Sequence, residues 1–259
     1  MSSSFVEVTE IAGEPISGEA LYRLHHRYRW AASRSRGKDV AEVACGVGPG
    51  LGMLSRVARS VEAGDISAPI VEVARRTYAD RINVVQLDAC AMPYADGSKD
   101  VILLFEAIYY MPDVEAFVRE CKRVLRPGGE ALIVTANKDL WDFHPSAYSH
   151  RYFGTVELQG LLSGHGFDCE FVAIQRADQS SLRQRILRPL KRLAVMTGLM
   201  PRTMAGKRWL KKIVFGREVP MPAELREDAM TYEPPQTIPG GEPDRRHKII
   251  YCAARLPAA

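Results

Sequence analysis

The sequence predicts an α/β protein built on a doubly wound parallel sheet. Three observations lead there. Short apolar runs alternate with stretches of helical periodicity through five successive strands. The first of these runs breaks into a glycine-rich turn that opens a helix. The fourth, residues 100–106, is apolar without alternation between its end acids, the pattern of a strand covered on both faces. With 259 residues, 46% hydrophobic and 25% charged, the chain can form one large domain with an insertion, or two small ones.

Residues 18–32 carry Leu21, Leu24, Tyr28 and Ala31 on one helical face, an amphipathic helix. Tyr28 belongs to the apolar side, while His25 and His26 read as solvated. The next apolar run, Val40, Ala41, Val43 and Ala44, gives way to Gly46, Gly48, Gly50 and Gly52, and then Met53, Leu54 and Val57 recur at helical spacing. Glycine suits such a turn because it accepts positive φ and lets a ligand approach the backbone. A helix N-terminus behind the turn would offer free N–H groups to an anionic ligand. The dinucleotide fingerprint wants a small residue five positions after its first glycine. Counted from Gly46 that position is Leu51, and counted from Ala44 it is Pro49; neither fits.

A second strand ends at Asp65, 17 positions after Gly48. An acid roughly twenty residues past the turn accepts hydrogen bonds from ribose hydroxyls in nucleotide-binding α/β folds. Asp65 or Ser67 could equally cap the helix predicted over 68–78. The third strand, 82–88, closes on Asp88 and is followed by Ala89. After the fourth strand come residues 107–113, a helix over 114–124 and a fifth strand over 130–137. Beyond it lies a polar and aromatic loop, 138–153, where such folds place ligands. A helix over 155–163 and a sixth strand over 169–175 precede a long interruption and a last strand, 247–255.

With Glu42 inside the first strand, the turn Ala44-Cys-Gly-Val-Gly48 resembles the first motif of the class I S-adenosylmethionine-dependent methyltransferases, E/D-x-G-x-G-x-G. Ala44 stands where the first glycine is usual. Gly64-Asp-Ile-Ser67, Asp88 with Ala89, and Arg123-Val-Leu-Arg-Pro-Gly-Gly129 are similar to the family's later motifs, in order, over residues 18–175; Lys99 replaces a usual aromatic. The resemblance implies a Rossmann-like seven-stranded sheet with an antiparallel last strand, here with a helical insertion between strands six and seven. Its parts would be an N-terminal helical cap (1–37), the cofactor-binding core (38–176), a basic, largely helical insertion (177–246) and the final strand (247–259). It also implies S-adenosylmethionine as cofactor and S-adenosylhomocysteine as product. Tyr28, Glu42, Ala44, Gly46, Gly48, Asp65, Ile66, Asp88, Ala89 and Phe105 would surround it, with Asp65 on the ribose and Asp88 at the adenine amino group.

The sulfonium carries the intrinsic reactivity, so the protein's task is placement. A hydroxyl acceptor also needs a base. His144, His150 and Tyr109 are the candidates, His144 first because it follows the fifth strand most closely. The 138–153 loop is similar to that of bacterial methyltransferases of polysaccharide and glycoconjugate assembly. The expected reaction is therefore O-methylation of a sugar, glycoconjugate or secondary metabolite. The alternatives are N- or C-methylation of a lipid-like or carrier-linked acceptor at a membrane surface, a nicotinamide-dependent reductase, and a non-catalytic cofactor-binding protein.

Five scattered cysteines without a C-x-x-C pair argue against a zinc site and for a reducing compartment. The first residues lack a secretory pattern, so a cytoplasmic protein is expected. The net charge of +4 is local: residues 179–217 hold eleven Lys and Arg and no acid, leaving 4 − 11 = −7 for the rest. Within that stretch, Leu182, Ile186, Leu190 and Leu193 oppose Arg185, Arg188 and Arg192. Such a segment packs with a solvated basic face, captures an anionic or lipid-linked acceptor, or lies on an anionic membrane through residues 182–217. No nucleic-acid motif accompanies the charge, so nucleic acid is not an expected partner.

Overall fold

The apolar runs become strands whose two faces are both covered. The computed structural model describes residues 11–146, 148–176 and 218–258. A short strand, β1 (Pro15–Ser17), leads into helix α1 (Gly18–Arg34), capped by the Ser17 hydroxyl, which accepts from the Ala20 N–H at 3.2 Å. Strands β2 (Asp39–Val43), β3 (Ser60–Asp65), β4 (Asn83–Gln86), β5 (Lys99–Phe105) and β6 (Leu125–Ala136) follow, with helices α2 (Leu51–Ser55), α3 (Ala68–Tyr78) and α4 (Val114–Val124) between them. Helix α5 (Thr155–Gly164), strand β7 (Asp168–Arg176), two short strands β8 (Glu218–Pro220) and β9 (Gln236–Thr237), and the long β10 (His247–Arg255) complete the described chain.

The main sheet runs β4-β3-β2-β5-β6-β10-β7-β9. Its first five strands are parallel, and β10 lies antiparallel between β6 and β7, with Ile249 opposite both Ala136 and Ile174. Eight strands stand where seven were expected. The eighth, β9, pairs Thr237 with Val172 and lies inside the Pro- and Gly-rich return of the insertion, where composition reads as loop. A separate two-stranded sheet joins β1 to β8, Ser17 opposite Glu218.

Leu24, Tyr28, Trp30, Leu51, Tyr78, Leu103 and Tyr251 form the core on one sheet face, under α1, α2 and α3. Phe117, Leu158, Ile102, Leu104, Ile133 and Phe171 form the other, under α4 and α5. Each such side chain contributes about 1.5–3 kcal/mol by leaving water, which is why the central strands carry no alternation.

Three elements differ from expectation. Helix α2 is only five residues long, so its dipole adds little and the turn's own N–H groups matter more. His25 and His26 are each 1% exposed rather than solvated. The His26 Nε2–H donates to the Glu233 carbonyl at 2.8 Å, and His25 Nε2 lies 3.1 Å from the Arg226 carbonyl. The chain that covers them returns two hundred residues later, beyond the reach of local periodicity. The described part of the predicted helical insertion, 218–246, holds β8, β9 and a 3-10 turn at Glu227–Ala229. The amphipathic stretches of 182–217 lie outside the described residues.

That return segment also fastens the glycine turn. The Leu225 N–H donates to the Pro49 carbonyl at 2.7 Å, and Glu224 lies between Arg56 (3.2 Å) and Arg81 (2.8 Å).

Candidate functional site

Parallel strands deliver their carboxyl ends to one edge of the sheet, and a cavity of about 1080 Å³ opens along it. That is the upper end of the range usual for small-molecule sites, about 300–1,000 Å³. The strand order sets out its lining along the edge: Asp88 beyond β4, Asp65 on β3, Ala44 after β2, Phe105 on β5, Ala136 on β6 and Ile249 on β10. Six strands spaced about 4.8 Å apart make this a trough of roughly 24 Å. Helix α1 roofs the middle with Arg27 and Tyr28, and the return segment adds Met221.

The turn after β2 is left-handed at Ala44 (φ 52°), Gly46 (φ 59°) and Gly48 (φ 68°). Ala44 adopts a conformation that L residues avoid at a cost of about 1–2 kcal/mol, and it does so where the chain must leave the strand to line the cavity. Asp65 secures the turn from the neighbouring strand. Its Oδ2 accepts from the Gly46 N–H at 3.0 Å and its Oδ1 from the Ser67 N–H at 2.9 Å. Burial pushes the Asp65 carboxyl up from its usual range, and the amide bonds oppose that. Ser67 takes the N-cap position of α3 without a side-chain capping bond.

Glu42 lies fully inside, its Oε1 accepting from the Tyr28 hydroxyl at 2.6 Å while Tyr28 meets Phe105 edge-on at 5.3 Å. Burial pushes the Glu42 carboxyl up to about 7, against the opposing hydrogen bond from Tyr28 and the charge of Arg27. The folded chain therefore holds a proton that the unfolded chain has lost, and stability falls as pH rises from the ordinary value of 4.5 toward 7. Thermal melts should show Glu42→Gln losing less stability than the wild type between pH 5 and 8, by a few degrees in Tm. Parallel pH profiles would contradict this.

At the other half of the trough the Tyr109 hydroxyl donates to Glu106 Oε2 at 3.0 Å. Burial and the adjacent Glu106 charge hold the Tyr109 phenol far above its usual pKa. As placed, the Tyr109 hydroxyl is engaged as a donor to Glu106. His150 lines the cavity, and its backbone N–H donates to the Tyr109 carbonyl at 2.8 Å. His144 is not among the lining residues. Tyr28, Glu42, Ala44, Gly46, Asp65, Ile66, Asp88, Ala89 and Phe105 all line the cavity, whereas Gly48 turns the chain behind it and accepts from the Tyr78 hydroxyl at 2.5 Å.

Sequence reasoning did not place Glu106 in the site, and it offered Arg27 only as one of residues 25–28 of the N-terminal helix that could face it. Arg27 stands three positions after Leu24, on the inner flank of α1, and its guanidinium lies 5.8 Å from the Tyr28 and Phe105 ring centres. Glu106 closes the fourth predicted strand as Asp65 and Asp88 close the second and third, a signal that was available.

These residues fit S-adenosylmethionine. Ile66 is 51% exposed on the cavity wall, an apolar surface suited to a purine, and Asp88, just beyond β4, lines the same cavity. Among the described residues, Arg27 Nε and Glu42 Oε2 are buried polar atoms without a hydrogen-bond partner. Unspent polar atoms in one cavity leave hydrogen-bonding capacity for a ligand, and the Arg27 guanidinium suits one that bears a carboxylate. Leu51 is fully buried against the turn, so the dinucleotide spacing fails in three dimensions too.

Residues 41–133 match a family model described as a methyltransferase domain. A Mycolicibacterium smegmatis protein described as a probable S-adenosylmethionine-dependent methyltransferase is 35% identical over 147 residues, 55% of this chain and 57% of that protein. The ubiquinone/menaquinone biosynthesis C-methyltransferase UbiE of Hahella chejuensis is 31% identical over 151 residues, 55% of this chain and 61% of UbiE. The chain thus spans little more than half the length of these relatives. Among solved structures, the YcgJ protein of Bacillus subtilis shares the fold with a TM-score of 0.57 at 18% identity, covering 91% of this chain and 100% of that one.

Proposed function

The chain carries a class I S-adenosylmethionine-dependent methyltransferase domain, and from that premise we propose that it moves a methyl group to a small-molecule acceptor, a hydroxyl of a sugar, glycoconjugate or secondary metabolite. One observation carries the reading. The trough continues past the strand ends suited to adenosine to a second half bounded by Tyr109, Tyr148 and His150, polar enough for a hydroxylated acceptor. The bound cofactor would supply an electrophilic methyl on a positively charged sulfur.

In this reading Asp65 and Asp88 hold the adenosine, Ile66 covers the purine, Arg27 takes the carboxylate of the methionine tail, and Tyr28 closes the site against water. His150, on the wall of the acceptor half, receives the acceptor's proton. His144 would serve only if the 138–153 loop carried it inward. The C-methylation in UbiE's name favours a second reading, transfer to carbon or nitrogen of a lipid-like acceptor at a membrane surface. Among the described residues no helix is long and apolar enough to cross a membrane, and contact through 182–217 remains a proposal drawn from sequence.

Calorimetry with S-adenosylhomocysteine should give saturable binding, and NADPH none. The reverse pattern would restore the reductase. Turnover of labelled S-adenosylmethionine against a panel of hydroxylated, amine and quinol acceptors then separates the two methyltransferase readings, and inertness with the whole panel favours a non-catalytic binder.

A further inference from the structure

We propose that Glu106 is a specificity residue that reads the positive charge on the methyl-bearing sulfur, so that the site prefers the charged cofactor to its neutral-sulfur product. The inference rests on the cofactor reading above and deepens it.

Position carries it first. β5 pairs with β2, Leu104 opposite Val43, so Glu106 emerges beside the Ala44 turn. On its other side lie Tyr109 and Ala136, in the acceptor half. Among the described acids lining the trough, it is the one at the junction of the two halves.

The backbone at this junction is strained. Glu106 has φ 53°, and Ala44 on the adjacent strand has φ 52°. Left-handed conformations at non-glycine residues cost about 1–3 kcal/mol each and gather at ligand sites. Here two of them bend neighbouring strand ends at the same point of the edge.

The side chain is also aimed. Tyr109 donates to Oε2 at 3.0 Å and is itself pinned, stacked on Tyr152 at 4.5 Å and edge-on to Tyr110 at 4.6 Å. Phe105, Tyr109 and Tyr110 line the same stretch, and aromatic faces beside a carboxylate favour a cation over a neutral group.

Like Glu106, the other acids on the wall each have partners. Glu42 takes the Tyr28 hydroxyl, Asp65 holds the Gly46 and Ser67 amides, Asp88 accepts from the Cys90 N–H at 2.8 Å, and Asp113 caps α4 through the Ala116 N–H at 2.8 Å. Once the methyl has left, the sulfur is neutral and the attraction to Glu106 disappears, which favours product release.

The test needs no acceptor. Dissociation constants are measured by calorimetry on the full chain for S-adenosylmethionine, S-adenosylhomocysteine and sinefungin, which bears a protonated amino group in place of the methylated sulfur. Glu106→Gln should weaken the two charged ligands at least tenfold relative to S-adenosylhomocysteine, whose own affinity changes less than threefold. Glu106→Asp, which keeps the charge one methylene further back, should restore part of the preference. Equal weakening of all three ligands, or none, overturns the proposal and leaves the cofactor site standing. Failure of the wild type to bind S-adenosylhomocysteine sinks the cofactor reading itself. Should Glu106→Gln not fold, an unchanged charged-to-neutral ratio in Glu106→Asp would overturn the proposal on its own.

Discussion

Gly50→Ala should unfold the site from behind, costing about 3 kcal/mol or more. A Cβ at Gly50 would lie 2.1 Å from Tyr28 Cγ and 2.2 Å from Cδ1. These are the inner atoms of a rigid ring that is 1% exposed. The ring cannot swing aside, because its hydroxyl holds Glu42 at 2.6 Å and its edge packs on Phe105. Overpacking a filled core costs about 1–3 kcal/mol, and more where neither side can relax. For a domain of this size each kcal/mol is worth about 2–4 °C, so Tm should fall by roughly 6–12 °C. Binding of S-adenosylhomocysteine should weaken along with it, since Tyr28 roofs the cavity. Gly13→Ala is the control for a merely glycine-specific effect on Tm: nothing lies within 4 Å of its Cβ position, so it costs only the strain of its φ of 87°. A Gly50→Ala chain that melts with the wild type would refute the packing argument.

Asp65→Ala should reduce affinity for S-adenosylhomocysteine by about 100-fold or more, with a smaller effect on folding. Two amides, Gly46 N–H and Ser67 N–H, lose their acceptor at once. Hydrogen bonds to a charged group contribute about 1.5–3 kcal/mol each, and 1.4 kcal/mol is tenfold in affinity. Asp65 lines the cavity, so the space its carboxylate vacates opens onto the empty trough and water can enter it there but not beneath a bound ligand, which puts the loss mainly on binding. Asp65→Asn keeps one acceptor oxygen and should lose about tenfold. Calorimetry on both variants checks the order; equal, small losses would show that Asp65 neither shapes the turn nor meets the ligand.

Much of this arrangement was legible in the chain. The unbroken apolar run of β5 required burial on both faces, and the fold buries Val101 through Leu104 completely. The glycine turn and the acids closing successive strands marked the ligand edge, because in a parallel sheet every such strand must end on the same side. Glu106 belonged to that series and could have been found by the same rule.

Other features were not legible, for a common physical reason. His25 and His26 lie on the polar side of α1 by local spacing, yet carbonyls of residues 226–233 close over them. β9 has only two residues, too short to leave a periodic trace. Tyr109 offers a base by residue type, and only the fold shows its hydroxyl bonded to Glu106.

Sequence by itself determined the parallel core, the edge along which the cavity opens and the residue types that line it, since these follow from period, glycine freedom and the acids at strand ends. Tertiary structure alone decided which groups are charged, which are covered and which face one another across the trough. Those properties depend on contacts between residues far apart in the chain, and no local pattern encodes the dielectric or the partner that a side chain will find.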